Sequence, residues 1–372
     1  MDVISLASGG GLFDYILRES GMNIKLQCEK DPIALKVLDK VFPESIKDND
    51  IFALSKDKME NEYHIDNIKD CTFVTTLCCK PFSNMGKQKG KAKDTYMCKD
   101  VIKLINDCRP RFVLSENVSG FITHTDGLAY FSSELEKINY NGISINIPAS
   151  LFGAPHERNR VFSIFMRDRV NSDIDWNIIV DNIKNKLNLH IDADKYNGKF
   201  SCNPGMSSII LQKPKQSDIN YLRILGNGVE YKTGTFIATV LKECNDYYYD
   251  NNLMEELNDT NKNNYIAFFN VMQTLLKDII PDNLDKVHEQ SLVLAGSHAV
   301  FNIKRLRKLH KPLGWWQTPL ASDGDIGNAY VHSYLSKFYP EMNFKHMYRN
   351  PELISWLMGI KPDLDNAIKS VI

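Results

Sequence analysis

The chain reads as an α/β protein: a mostly parallel sheet covered on both faces, with a smaller C-terminal region behind it. Two observations predict this. Across residues 1–168, short apolar runs of strand type alternate with longer amphipathic segments, the pattern of repeated strand–helix units. After about residue 170 the alternation fades, and 181–205 is polar without a convincing period. A chain of 372 residues can bury a large core and support one big domain plus a smaller one.

Val3–Leu6 is the first expected strand, followed by a glycine turn and a helix over Leu12–Glu19. Ile24–Cys28 is a second strand, and Pro32–Val41 a helix with proline in its first turn. Further strands are expected at Phe73–Leu77, Phe112–Leu114, Ile143–Ile147 and Val161–Phe165, with helices at Thr95–Asn106 and Leu128–Ile138. Ligands of such sheets sit beyond the C-terminal strand ends. The Asn- and Asp-rich stretch 245–264 reads as a linker and places a domain boundary there, leaving 1–245 and 246–372. Beyond it come a helix near 264–279, a basic stretch, and a Trp/Tyr/Gly-containing region over 314–349.

Net charge is −1, so distribution matters more than the sum. Lys80, Lys87, Lys89, Lys91 and Lys93 form one basic cluster, and Lys304, Arg305, Arg307, Lys308 and Lys311 another. A charge run is usually a solvated face; two runs, one beside a candidate nucleophile, suit phosphates. No apolar run approaches the ~20 residues of a membrane span, and the N-terminus lacks the order of a secretory signal. The eight cysteines show no paired metal spacing, so no metal site is expected. A reduced, cytoplasmic setting follows, in which a free thiolate survives.

Three features carry chemistry. Ser8-Gly9-Gly10-Gly11, directly after the first strand, lets backbone approach a ligand and opens a helix; alone it is a weak signal. Cys28-Glu29-Lys30-Asp31 ends the second strand, where an acidic side chain can accept from ribose hydroxyls. Asp31 can cap the following helix while Glu29 serves the ligand. The run Thr75-Thr76-Leu77-Cys78-Cys79-Lys80-Pro81-Phe82-Ser83 carries a thiol from a strand into a loop, and Phe112–Val118 ends another strand in a carboxylate, Glu116. An isolated cysteine is more often a small buried hydrophobe; the flanking motifs overturn that here.

In order and spacing these residues resemble the DNA cytosine-5 methyltransferase family of phage and bacterial type. Leu6–Leu12 is similar to its opening Phe-Ser-Gly-x-Gly-Gly, and Cys78–Ser83 to its Pro-Cys-Gln-Pro-Phe-Ser. Glu116-Asn117-Val118 matches its Glu-Asn-Val, and Gly153–Val161 resembles its Gly-x-Pro followed by Gln-x-Arg-x-Arg. Downstream, Leu225–Val229, leading into a helix to about Leu241, looks like the Gly-Asn-Ser-Val segment that lines the cofactor pocket. Asn350–Leu353 with Trp356–Gly359 is similar to the Thr-Pro-Arg-Glu…Met-Gly segment. In the family the latter precedes the former; here it follows. Either the C-terminal part is rearranged or one match is coincidental. Ala7, Leu12, Cys78 and Lys80 depart from the pattern, which bears on affinity and fine geometry more than on chemistry.

The resemblance implies a Rossmann-like class I methyltransferase fold. It implies methyl transfer from S-adenosyl-L-methionine to C5 of a flipped-out cytosine through a covalent cysteine adduct. Its site would comprise Cys79 as nucleophile, Glu116 as the N3 proton donor, and Arg158 and Arg160, two apart on an extended segment, holding the base carbonyl and a phosphate from one side. Ser8, Gly9, Gly10, Gly11, Glu29, Asp50 and Asn227 would hold the cofactor. Residues 1–245 would then be the catalytic domain and 246–372 a DNA target-recognition region. The implied partner is double-stranded DNA, with a cognate restriction endonuclease as a further candidate, in a monomer without membrane association. Methylation of tRNA by the same chemistry and a catalytically dead DNA-binding relative are the alternatives. A nucleotide-dependent dehydrogenase explains the glycines and Glu29 but leaves the thiol and Glu-Asn-Val without purpose.

Overall fold

The computed structural model describes residues 1–76, 94–123, 127–152, 154, 156–167, 169–170, 215–250, 254–255, 288–295, 298–305 and 351–372. The first half alternates as expected: β1 (Asp2–Leu6), α1 (Leu12–Glu19), β2 (Asn23–Cys28), α2 (Pro32–Val41) and β3 (Ile46–Asp48). Then come β4 (Thr72–Thr75), α3 (Asp94–Cys108), β5 (Phe112–Val118), α4 (Gly120–Thr123), α5 (Gly127–Lys137), β6 (Asn141–Pro148) and β7 (Asn159–Met166). Two-residue strands β8 (Arg169–Val170) and β9 (Met254–Glu255) pair with each other. Helices α6 (Gln216–Gly226) and α7 (Tyr231–Asp250), the hairpin β10 (His288–Ala295) and β11 (His298–Arg305), and helices α8 (Pro351–Leu357) and α9 (Pro362–Val371) complete the described elements.

Nine strands form one sheet in the order β10-β11-β6-β7-β5-β4-β1-β2-β3. Strands β3-β2-β1-β4-β5 are parallel throughout, and β7 inserts antiparallel between β5 and β6. The chain winds outward from β1 to β3, then returns to β4 and winds the other way. That is the Rossmann-like, doubly wound arrangement, with its switch point between β1 and β4. One face of the sheet is covered by α1, α2, α6, α7, α8 and α9, packed through Phe13, Leu17, Val37, Leu225, Phe236 and Met358. The other is covered by α3, α5 and the 54–68 segment, packed through Met59, Val101, Ile105, Phe131 and Leu135.

Two expectations need correction. Strand β5 does not stop at Leu114; the ladder to β7 continues through Glu116↔Phe162 and Val118↔Arg160, so the carboxylate sits within a strand. The supposed linker from 245 begins as helix, because α7 runs to Asp250 and keeps Cys244 and Asn245 buried. Asn245 also accepts from the Arg111 guanidinium at 3.1 Å. Strand β11 pairs parallel with β6 and extends the main sheet, while α8 and α9 pack into the helical layer beside α1 and α2. The expected helix at 264–279 and the region 314–349 lie outside the described residues. Among the described residues no helix is long and apolar enough to cross a membrane, and no group of His, Cys, Asp or Glu is placed to hold a metal ion.

Polar side chains fix the register of the added hairpin. His298 on β11 hydrogen-bonds through Nε2 to Ser144 Oγ on β6 at 2.8 Å, Ser144 pairs with Ser163 on β7, and the His298 ring stacks on Phe165. Two rows on, Asn146 donates to Asn302 at 2.6 Å. A slip by one residue would leave all of these buried without partners.

Burial pushes the imidazole pKa down to about 4 at His298 and about 3 at His156. As pH falls through the ~6.5 of an exposed histidine, the unfolded chain takes up both protons and the native chain does not. Stability is therefore lost from there down to about pH 4, at ~1.4 kcal/mol per pH unit for each group. Asp14, pushed up to about 6 by burial, acts in the opposite sense, since the native state then binds its proton first, and it offsets roughly one histidine. We expect His298→Asn to lower the urea midpoint at pH 7.5 and to lose visibly less between pH 7.5 and 5 than the parent. An unchanged acid slope would show that His298 is not the group responsible.

Candidate active site

A cavity of about 250 Å³ opens at the C-terminal ends of the parallel strands. Its walls come from the turns after β1 (Ala7–Gly10), β2 (Cys28–Lys30) and β3 (Asn49–Phe52), from Thr76 after β4, from Glu116 and Val118 on β5, and from Gly226–Val229 between α6 and α7. Six of the seven residues expected to hold a cofactor line it: Ser8, Gly9, Gly10, Glu29, Asp50 and Asn227. Gly11 does not; it sits behind the wall under Leu38 and Phe42, at the start of α1.

The first turn is held from below by a buried carboxylate. Asp14 accepts from Ser5 Oγ at 2.7 Å and from Gln27 Nε2 at 2.6 Å, and Ser8 Oγ donates to Ser5. From the side, Glu29 accepts from Gly9 N and Asp31 N, both at 2.8 Å. Asp31 caps α2 by accepting from Ile33 N and Ala34 N and pairs with Arg223 of α6 at 2.8 Å. Asp31 thus caps the helix as expected, while Glu29 ties down the turn after β1 and lines the cavity.

The opposite wall interlocks with this turn through two glycines. A Cβ on Gly10 would lie 2.3 Å from Ile224, and one on Gly228 would lie 2.3 Å from Leu12. Only residues without a side chain let the start of α1 and the α6–α7 turn approach this closely.

Glu116 is buried, and its carboxyl is pushed above the usual glutamate range by desolvation, although Arg160 and Arg158 draw it back. Arg160 Nε lies 3.0 Å from Glu116 Oε1. The two are diagonal neighbours on one face of the β5–β7 ladder, because Arg160 stands opposite Val118 and Phe162 opposite Glu116. Glu116 and Arg160 both line the cavity.

Arg158 departs from expectation. It adopts φ +32°, before β7 begins, so the two arginines do not continue one extended alternation. Its guanidinium is buried and donates to the carbonyls of Gly226 and Gly228, away from the cavity. Cys79, with Cys78 and Lys80, lies outside the described residues. Cys28 lines the cavity, but burial pushes its thiol up to about 12, so it stays protonated and unreactive.

Sequence reasoning missed Ala7, Lys30, Asn49, Phe52 and Thr76 as wall residues. Thr76 had a readable signal, as the residue directly after an apolar strand; its hydroxyl donates to Ala7 O across the switch point. Both late family-like segments are seated at the site. Gly226–Val229 forms the wall, and the end of α8 ties to its far side, with Tyr231 N donating to Met358 O at 3.0 Å. The two segments meet at one wall of the cavity, although the second follows the first in sequence.

The family model for C-5 cytosine-specific DNA methylases matches residues 1–308. This chain belongs to that family. Among its relatives, the type II methyltransferase M2.BsuMI of Bacillus subtilis is 29% identical over 194 residues, which are 47% of each chain. M.HhaI of Haemophilus parahaemolyticus is 27% identical over 176 residues, covering 45% of this methylase-family chain and 50% of its own. The chain thus spans about half the length of the curated relatives it matches. Among solved structures, the Entamoeba histolytica methyltransferase EhMeth aligns over 47% of this chain and 55% of its own, at 21% identity and a TM-score of 0.38.

The interlock makes a direct prediction. Gly228→Ala should cost about 1–3 kcal/mol of stability by overpacking against Leu12. In a double-mutant cycle with Leu12→Ala, the combined loss in denaturant midpoint should be smaller than the sum of the single losses. Strict additivity would show that the two positions do not touch.

Proposed function

We propose that this chain is an S-adenosyl-L-methionine-dependent DNA cytosine-5 methyltransferase with Cys79 as its nucleophile. The observation that carries this reading is Glu116, a buried carboxyl whose pKa desolvation raises, on the wall of a glycine-lined cavity in a chain of this family. The chain leaves β4 at that same cavity, through Thr76, three residues before Cys79.

The cavity suits an adenosyl cofactor. Glu29 accepts one backbone N–H on each oxygen and retains lone pairs for ribose hydroxyls. Asp50 supplies a second carboxylate. Phe13, Ile51 and Val118 offer apolar walls to a purine, and the turn at the start of α1 presents backbone N–H groups to a carboxylate. When bound, the cofactor supplies an electrophilic methyl group.

Cytosine C5 is a poor nucleophile. Addition of the Cys79 thiolate to C6 makes C5 enamine-like, able to take the methyl group, and a proton from Glu116 to N3 offsets the charge that addition builds on the ring. Loss of the C5 proton and expulsion of the thiolate then restore the aromatic ring. Arg160, held beside Glu116, can orient the base carbonyl. A base within a duplex exposes neither C6 nor N3 to a pocket, so the target must flip out at a cost of a few kcal/mol.

Grip on the duplex is assigned to the region beyond residue 246. Strand β11 runs parallel to β6, and β6 runs in the direction of β5. The chain therefore leaves β11 at the edge of the sheet that carries the cavity, at the start of the basic tract Lys304–Lys311. That placement supports phosphate contact near the flipped base.

The test is covalent trapping on a duplex containing 5-fluorocytosine in the presence of the cofactor, since fluorine at C5 blocks the elimination step. A denaturation-resistant adduct mapping to Cys79 is expected, absent in Cys79→Ser and retained in Cys78→Ser. An adduct at Cys78 would move the register by one, and trapping on 5-fluorocytosine RNA alone would make the substrate RNA.

A further inference from the structure

Three alternate residues at the entrance to β7 each reach a different partner. His156 Nε2 donates to Leu357 O, the last carbonyl of α8, at 2.8 Å. Arg158 Nη2 donates to Gly226 O, the last carbonyl of α6, at 2.9 Å, and to Gly228 O beyond it. Arg160 pairs with Glu116. The final carbonyls of a helix have no partner within it and carry the negative end of its dipole, so a buried cation or N–H there satisfies a real deficit. His156 and Arg158 thus cap two helices that are far apart in sequence, 216–226 and 351–357, from one short segment.

What Arg158 holds is the back of the cofactor wall. Gly226 through Val229 line the cavity, whereas Arg158 is wholly buried behind them and lines none of it. The turn it grips is the one that interlocks with Leu12 and faces the turn after β1. Its positive φ aims the guanidinium backwards, while Arg160, two residues on, points to Glu116.

We propose that Arg158 is a positioning residue for the cofactor pocket, acting through the Gly226–Gly228 turn, and not a contact to the flipped base or to phosphate. This rests on the methyltransferase reading above. Both carbonyls accept from the same Nη2; a lysine at 158 keeps the charge, but its stem is one bond shorter and flexible, so its ammonium does not reach the position at which the rigid guanidinium holds that nitrogen.

The experiment compares wild type, Arg158→Lys and Arg158→Met. Binding of S-adenosylhomocysteine is followed by calorimetry, and methyl transfer to a cytosine-containing duplex is measured with each substrate varied in turn. In Arg158→Lys the cofactor KM and the S-adenosylhomocysteine Kd should rise about tenfold or more, as loss of one charge-assisted hydrogen bond to the turn predicts. The kcat at saturating cofactor and the KM for DNA should stay within about threefold of wild type. Arg158→Met should be worse on the cofactor side only; if it fails to fold, the lysine variant decides alone. Unchanged cofactor affinity, with a fall in kcat, a rise in the DNA KM or merely a lower melting temperature, would overturn the proposal. Failure of the wild type itself to bind S-adenosylhomocysteine would instead count against the methyltransferase reading.

Discussion

The guanidinium of Arg158 is wholly buried, and a desolvated cation must find acceptors or cost several kcal/mol. Here it finds them at the C-terminal end of α6, where helix geometry leaves carbonyls without partners. Much of the site depends on that match. It ties the α6–α7 turn to the entrance of β7, while the Gly228–Leu12 and Gly10–Ile224 contacts and the Arg223–Asp31 pair hold it against α1 and α2. Two residues on, the same backbone segment presents Arg160 to Glu116. The glycine wall of the cavity and the charge beside the buried Glu116 carboxyl are therefore both supplied with partners by one segment of backbone.

A Gly-Asn turn and a Met-Gly helix end, far apart in the chain, meet beside this cavity. Each is secured by a side chain from the entrance to β7, Arg158 for one and His156 for the other. Each also contacts the other directly through Tyr231 N and Met358 O.

The first half of the fold was legible because its signals are local. Helices α1 and α2 fall where the glycine turn and the Asp31–Pro32 start place them, and β1, β2, β6 and β7 differ from expectation by a residue or two at their ends. Glu116 and the glycine turn were readable for the same reason. What stayed hidden depends on pairing across the sheet or between distant segments. The extension of β5 through Glu116 is imposed by β7. The hairpin over 288–305 joins the main sheet because β6 offers a free edge and Ser144 and Asn146 select its register. The inward turn of Arg158 could not be read from two arginines spaced for one face of a strand, since the residue leaves the extended region at φ +32°.

The balance at Glu116 shows how the two arginines differ in kind. Burial favours the neutral carboxyl, and both cations oppose that; the direction that prevails is upward. Were Arg160 alone in water beside a glutamate, the ion pair would keep the acid charged. Here desolvation of the carboxylate is the larger effect and outweighs the pull of both Arg160 and Arg158. Turning that guanidinium into the α6 end ties the glycine wall of the cavity to the entrance of β7, and leaves Arg160 as the arginine that pairs with Glu116.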